Sequence, residues 1–307
     1  MAVIRLSYAS INVTDLDKAE QHYAHVVGLR TTGTSAGRVY MQAPDSQDHH
    51  CLVLNASDRA GLCHLGFKVS AHEDLQEAAD KAVAAGLKVE WMESGTLLGQ
   101  GEGVVITLPS AHRINLFHES ECVGYETGMR DPDLVLERVD GVNPVSHLDH
   151  ALIVCSNPDQ TIRFLRDVLD FNLSECGAAP DGSLFLGFLS AGNTMHQLAI
   201  GPGPDGGLHH IAFYVVDRAD VVRRTDLLKH RNVPTLEYGV TRHGVAGVTT
   251  VYFFDPSGNR NEFQCGAYET SGASGRVPSI SWSMESLGQA TFYYEASVPE
   301  QFYTVVS

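Results

Sequence analysis

The stretch Val251-Tyr252-Phe253-Phe254-Asp255-Pro256-Ser257-Gly258-Asn259-Arg260-Asn261-Glu262 decides how the chain is read. Val251 to Phe254 is β-branched and aromatic, which suits a strand. Asp-Pro-Ser-Gly-Asn is turn chemistry, because Pro presets φ and Gly tolerates positive φ. Tyr252 and Glu262 are equally far from Ser257, so a symmetric hairpin sets them beside each other. Glu262 precedes Phe263 in an apolar strand. A buried carboxylate is costly unless it is paired or holds a metal.

Working outward, the hairpin belongs to a repeat. Leu108-Pro109-Ser110-Ala111-His112-Arg113-Ile114-Asn115 matches Asp255 to Glu262 at a separation of 147. Cys63-His64-Leu65-Gly66-Phe67 matches His209-His210-Ile211-Ala212-Phe213 at 146, and Tyr8 to Val13 matches His150 to Cys155 at 142. After the first strand of each half comes a capped helix. Thr14 and Asp15, or Ser156 and Asn157 before Pro158, supply the caps, and Leu16, Ala19, Tyr23 and Val26 recur at helical spacing. Four strand–helix–strands units follow, near 1–60, 61–121, 144–203 and 204–268. We expect an N-terminal domain at 1–121, a linker at 122–143 with a short helix near Asp131 to Arg138, and a second domain at 144–268. A tail at 269–307 opens loop-like and then carries Trp282, Phe292, Tyr293, Tyr294, Phe302 and Tyr303. So many aromatics call for packing on the body or on another subunit.

Composition narrows the function classes. The chain has 307 residues, 43 % of them hydrophobic, a net charge of −16 and a pI near 5.3. This balance argues against nucleic acid and anionic membranes. No apolar run reaches spanning length, and Met1 to Leu6 lacks a signal-peptide core. The six scattered cysteines form no Cys-x-x-Cys pair and read as reduced thiols of a cytoplasmic protein.

Of fifteen histidines, His150 and His210 stand out, together with Glu262, because the three occupy matching places in the repeated unit. Two imidazoles and one carboxylate form the ligand set of non-haem Fe(II) oxygenases. His209 competes with His210, since strand neighbours face opposite sides and only one can join; parity does not choose. His147 competes with His150 and reads as a peripheral or surface residue. The first half offers Tyr8, His64 and Asn115, of which only His64 is a good ligand, so that half is expected to hold no metal and His64 to be a core histidine.

His147-Leu148-Asp149-His150-Ala151-Leu152, Leu208 to Phe213, Thr241-Arg242-His243-Gly244 and Tyr252 to Glu262 together resemble the type I extradiol ring-cleaving dioxygenases of the vicinal oxygen chelate superfamily. Within that family the likeness is greatest to the catechol 2,3-dioxygenases (metapyrocatechases), and it covers nearly the whole chain, including Leu287 to Tyr293. It implies an α+β fold of tandem βαβββ modules, four modules in two domains, and a homotetramer. It implies Fe(II) on His150, His210 and Glu262, with His196 as the acid–base group near O₂. His243 and Tyr252 become substrate-binding groups, and the implied reaction is cleavage of catechols by O₂ to 2-hydroxymuconic semialdehydes. The rival readings are a 2,3-dihydroxybiphenyl-type dioxygenase, a glyoxalase-like isomerase or thiol transferase, and a non-catalytic sequestering protein. The latter chemistries do not need His196, His243 and Tyr252 together.

Overall fold

The computed structural model describes residues 2–44, 46–123, 141, 143–236, 238–270, 278–304, 306 and 307. The helix expected near 131–138 and the loop-like run at 271–275 lie outside these residues. Among the described residues no helix is long and apolar enough to cross a membrane.

The chain folds as four βαβββ units. The first holds β1 (Val3–Val13), α1 (Leu16–His22), β2 (Arg30–Ser35), β3 (Arg38–Gln42) and β4 (Leu52–Ala56). The second holds β5 (Gly61–Val69), α2 (Glu73–Ala84), β6 (Val89–Met92), β7 (Gly103–Thr107) and β8 (Arg113–Phe117). The third runs through β9 (His147–Cys155), α3 (Pro158–Asp167), β10 (Asn172–Ala178), β11 (Leu184–Ser190) and β12 (Leu198–Pro202). The fourth runs through β13 (Gly207–Tyr214), α4 (Arg218–His230), β14 (Thr241–Arg242), β15 (Thr249–Phe254) and β16 (Arg260–Cys265). After these come β17 (Ile280–Trp282), α5 (Leu287–Thr291) and α6 (Glu300–Thr304).

Helix starts follow local chemistry. Asp15 and Asn157 accept the backbone N–H of Lys18 and Gln160, and Pro158 opens α3. The expected helical periodicity continues past α1 as a π-turn over Tyr23–Val27, closed by Gly28 at φ +88°.

Each pair of units builds one sheet. The orders are β2-β3-β4-β1-β5-β8-β7-β6 and β14-β15-β16-β13-β9-β12-β11-β10-β17. In both, two antiparallel central strands are flanked by parallel partners, so β16, β13 and β9 are neighbours, as are β8, β5 and β1. Alternation assigns the faces. Ala151, Ile153, Val251, Phe253 and Phe263 enter a core that spans both halves. His150, Leu152, Tyr252 and Glu262 face a cavity on the other side. Phe253 and Phe263 stack at 4.3 Å and are fully buried, each contributing about 1.5–3 kcal/mol through burial. That packing fixes the register, and a slip of one residue would turn Glu262 away from the cavity.

Candidate metal centre and cavity

The opening hairpin sets β15 against β16 with Tyr252 directly opposite Glu262. Asp255 organises its turn by accepting the N–H groups of Ser257 and Asn259 at 2.8 and 2.9 Å, with Gly258 at φ +96°. Glu262 is level with Ala212 on β13, and Ala212 is level with His150 on β9. Three strands thus deliver three side chains to one point. Glu262 Oε2 lies 3.4 Å from His150 Nε2 and 3.1 Å from His210 Nε2, and the two nitrogens are 3.1 Å apart. All three residues are buried and offer ligand atoms within 4.8 Å of one another.

The donor chemistry fits a divalent cation. Asp149 Oδ2 sits 2.7 Å from His150 Nδ1 and is itself held by Gln264 Nε2 at 2.5 Å. A carboxylate only accepts, so Nδ1 carries the proton and a neutral His150 aims its Nε2 lone pair at the shared point. Thr250 Oγ1 donates to the other oxygen of Glu262. Without a cation, burial disfavours charge on His150. Hydrogen bonds to Asp149 and Glu262 outweigh it and lift its pKa to about 9. Burial would likewise raise Glu262, yet the facing imidazoles hold it well below the usual carboxylate range. His210 drops to about 4, because burial outweighs its pairing with Glu262. One proton on His150 therefore balances the carboxylate, and a dication would displace it.

The other three expected residues gather around this point. His196 lies in the β11–β12 loop, not in a strand, with its ring 4.1 Å from that of His150. Burial and then the neighbouring His150 keep it neutral, well below its ordinary pKa. His243 Nδ1 donates to the Thr291 carbonyl, so its Nε2 accepts from the Tyr252 hydroxyl at 2.8 Å. Burial and the charge of Glu262 push the Tyr252 phenol well above its ordinary pKa. All six residues line one cavity, whose walls include Leu152, Val154, Leu186, Phe188 and Val248.

The expectation that His209 faces away from His210 needs correction. The β13–β9 register shifts between Leu208 and His210, and this bulge leaves both rings on the cavity. Their Nδ1 atoms are 2.6 Å apart, so His209 touches the trio without joining it. His147 stays peripheral, 3.8 Å from Asp149 and stacked on Tyr214.

In the first half, Tyr8, His64 and Asn115 hold the equivalent register positions across Gly66. They bond to one another: Asn115 Nδ2 donates to Tyr8 Oη at 2.7 Å, and Tyr8 Oη lies 3.0 Å from His64 Nε2. Gly66 is required there, since a Cβ would lie 2.0 Å from the Tyr8 ring.

Several contributors escaped the sequence reading. Asp149 had a local signal, being adjacent to His150. Glu175 had none; it accepts from Ala246 N at 2.9 Å and Trp282 Nε1 at 2.5 Å and so holds the loop after His243. The tail supplies Phe292 and Phe302, which pack with Tyr252 and Leu236, while Tyr293 and Tyr294 stay exposed.

Residues 147–263 match the Glyoxalase/Bleomycin resistance protein/Dioxygenase superfamily, and residues 62–121 match the catechol 2,3-dioxygenase-like N-terminal domain. A metapyrocatechase of Pseudomonas sp. (strain CF600) is 31% identical over 99% of this chain and 99% of its own. The chain belongs to the extradiol ring-cleaving dioxygenases of the vicinal oxygen chelate superfamily. This extradiol dioxygenase is also similar to the crystal structure of the 2,3-dioxygenase LapB from Pseudomonas sp. KL28. That likeness has a TM-score of 0.85 and 32% identity, covering 92% of this chain and 98% of the other. A manganese-dependent 2,3-dihydroxybiphenyl 1,2-dioxygenase of Geobacillus genomosp. 3 is 25% identical, covering 87% of this dioxygenase and 86% of its relative.

Proposed function

We propose that this dioxygenase opens the ring of catechol and of neutral alkylcatechols beside the diol, giving 2-hydroxymuconic semialdehydes. His150, His210 and Glu262 would hold Fe(II). The observation that carries the reading is the convergence of two imidazoles and one carboxylate at a cavity that is otherwise mostly apolar. The bound ion would supply Lewis acidity toward the two catechol oxygens and electron exchange with O₂. Both atoms of O₂ enter the product, one ring carbon–carbon bond breaks, and no external reductant is consumed.

The chain's own groups do the rest. The Tyr252–His243 pair holds a catechol oxygen and takes up its proton. His196, kept neutral by burial, has one proton and one lone pair and acts as the acid–base group on the O₂ side. The apolar walls orient the ring and exclude water. Among the described lining residues there is no lysine or arginine, so a carboxylated side chain would be buried without a partner. This favours neutral substituents. The second reading, a dihydroxybiphenyl substrate, is favoured by the Geobacillus relative. The six unpaired cysteines support a reducing, cytoplasmic setting, and exposed Tyr293 and Tyr294 support contact between subunits of a homotetramer.

The test is oxygen uptake by anaerobically reconstituted Fe(II) protein given catechol, 4-alkylcatechols or 2,3-dihydroxybiphenyl, with appearance of the yellow ring-opened product. Uptake of one O₂ per diol, with the highest kcat/KM on a neutral alkylcatechol, supports the reading. No uptake with any diol overturns it.

A further inference from the structure

We propose that Glu175 is a positioning residue for the reaction: it holds the loop after His243 in a strained form that sets both His243 and one wall of the cavity. The inference rests on the reading that this wall and His243 meet a catechol. Glu175 stands on β10 and is 1% exposed. It accepts from three neutral donors that come from three separate segments. Its Oε1 takes the Ala246 N–H and the Tyr268 hydroxyl, each at 2.9 Å, and its Oε2 takes Trp282 Nε1–H at 2.5 Å. One buried side chain thereby ties the loop to Tyr268 and to β17. A glutamine offers one acceptor oxygen and an amide that donates, so there one of the three donors would meet another donor.

Ala246 is where the loop is strained, at φ +56°. A residue with a Cβ disfavours this left-handed backbone and keeps it only where the surroundings impose it. Its N–H is the one that Glu175 takes, and hydrogen bonds to a carboxylate are the strong kind. The tail presses the loop from elsewhere. Gly244 and Val245 donate to the carbonyls of Gln289 and Ala290 at 3.1 and 3.0 Å, and a Cβ on Gly244 would lie 2.5 Å from the Gln289 oxygen. Val245, Ala246 and Val248 line the cavity. His243 opens the loop, with its N–H on the Val248 carbonyl at 3.0 Å and its Nε2 on the Tyr252 hydroxyl. When Glu175 no longer holds its N–H, Ala246 leaves the left-handed region, and the wall and His243 shift together.

The test is a cycle of Glu175→Gln, Ala246→Gly and the double variant in the full chain. Amide hydrogen exchange of residues 243–249 and steady-state oxygen uptake with catechol, per bound iron, are both measured. In Glu175→Gln exchange should quicken about 10- to 100-fold, the worth of a hydrogen bond to a charged group. Its kcat/KM should fall about 10- to 100-fold, with KM rising as kcat falls, because wall and His243 are both misplaced. Glycine takes the left-handed backbone at no steric cost, so adding Ala246→Gly to Glu175→Gln should recover about fivefold of that loss. Native kcat and KM per iron in Glu175→Gln, with quickened exchange or without it, overturn the proposal. A double variant with no recovery also overturns it. Should Glu175→Gln fail to fold, the double variant carries the measurement, and failure of both to fold makes Glu175 a structural residue only. Absence of oxygen uptake by the native chain is a different failure: it overturns the catechol reading, and the role toward substrate proposed here with it.

Discussion

Glu262→Gln separates what the carboxylate does for a metal from what it does for the fold. In the metal-free protein the charge is balanced by His150, held at a pKa of about 9 against an unfolded value near 6.5. A raised pKa on a base contributes stability that is full below the unfolded value and is lost as pH rises through the folded one. Near pH 7.5 the pairing, shared with Asp149, is worth about 2 kcal/mol, since one pKa unit is about 1.36 kcal/mol. Glutamine can still accept from Thr250. Urea denaturation of the metal-free variant at this pH should therefore show a loss of no more than about 2 kcal/mol, shrinking as pH approaches 9. Metal at 100 times its dissociation constant adds about 2.7 kcal/mol to the native protein, and this increment should vanish in Glu262→Gln. A variant that keeps the full increment refutes the ligand assignment. A metal-free loss above about 5 kcal/mol would make the carboxylate a structural group.

Other outcomes follow from the same geometry. His196→Ala should retain metal in elemental analysis while turnover falls by about 10²–10⁴, the worth of an acid–base group. Gly66→Ala places a Cβ 2.0 Å from the Tyr8 ring and should cost about 1–3 kcal/mol in denaturation. Tyr8→Ala in the same chain should return part of that loss, a coupling read from a double-mutant cycle. Burial holds His50 and His64 at about 3, so these depressed bases stabilise fully above their unfolded pKa and lose the effect as pH falls below it. Stability should decline between about pH 6.5 and 3, by about 2 kcal/mol for each of them at pH 5, and His64→Gln should flatten that slope.

Much of the site was legible because β structure translates sequence separation into position. The turn at Pro256-Ser257-Gly258 sets Tyr252 opposite Glu262, and the repeat puts His150, His210 and Glu262 on three neighbouring strands. Strict alternation failed at His209, since a bulge is a local shift that no period-2 pattern encodes. Glu175 and the carbonyls of Thr291 and Phe302 were hidden for another reason: their partners are remote in sequence, and backbone groups carry no side-chain signal. Tyr8 and Asn115 were readable as departures from the ligand pattern. The need for Gly66 beneath the Tyr8 ring was not, because it depends on how the two strands face each other.

The most direct test is an anomalous difference map from crystals of metal-loaded protein, recorded at the absorption edge of the bound ion. The expected result is one peak at bonding distance, about 2.0–2.2 Å, from His150 Nε2, His210 Nε2 and a Glu262 oxygen, with none beside Tyr8, His64 and Asn115. A peak elsewhere in protein shown to hold stoichiometric metal would contradict the account.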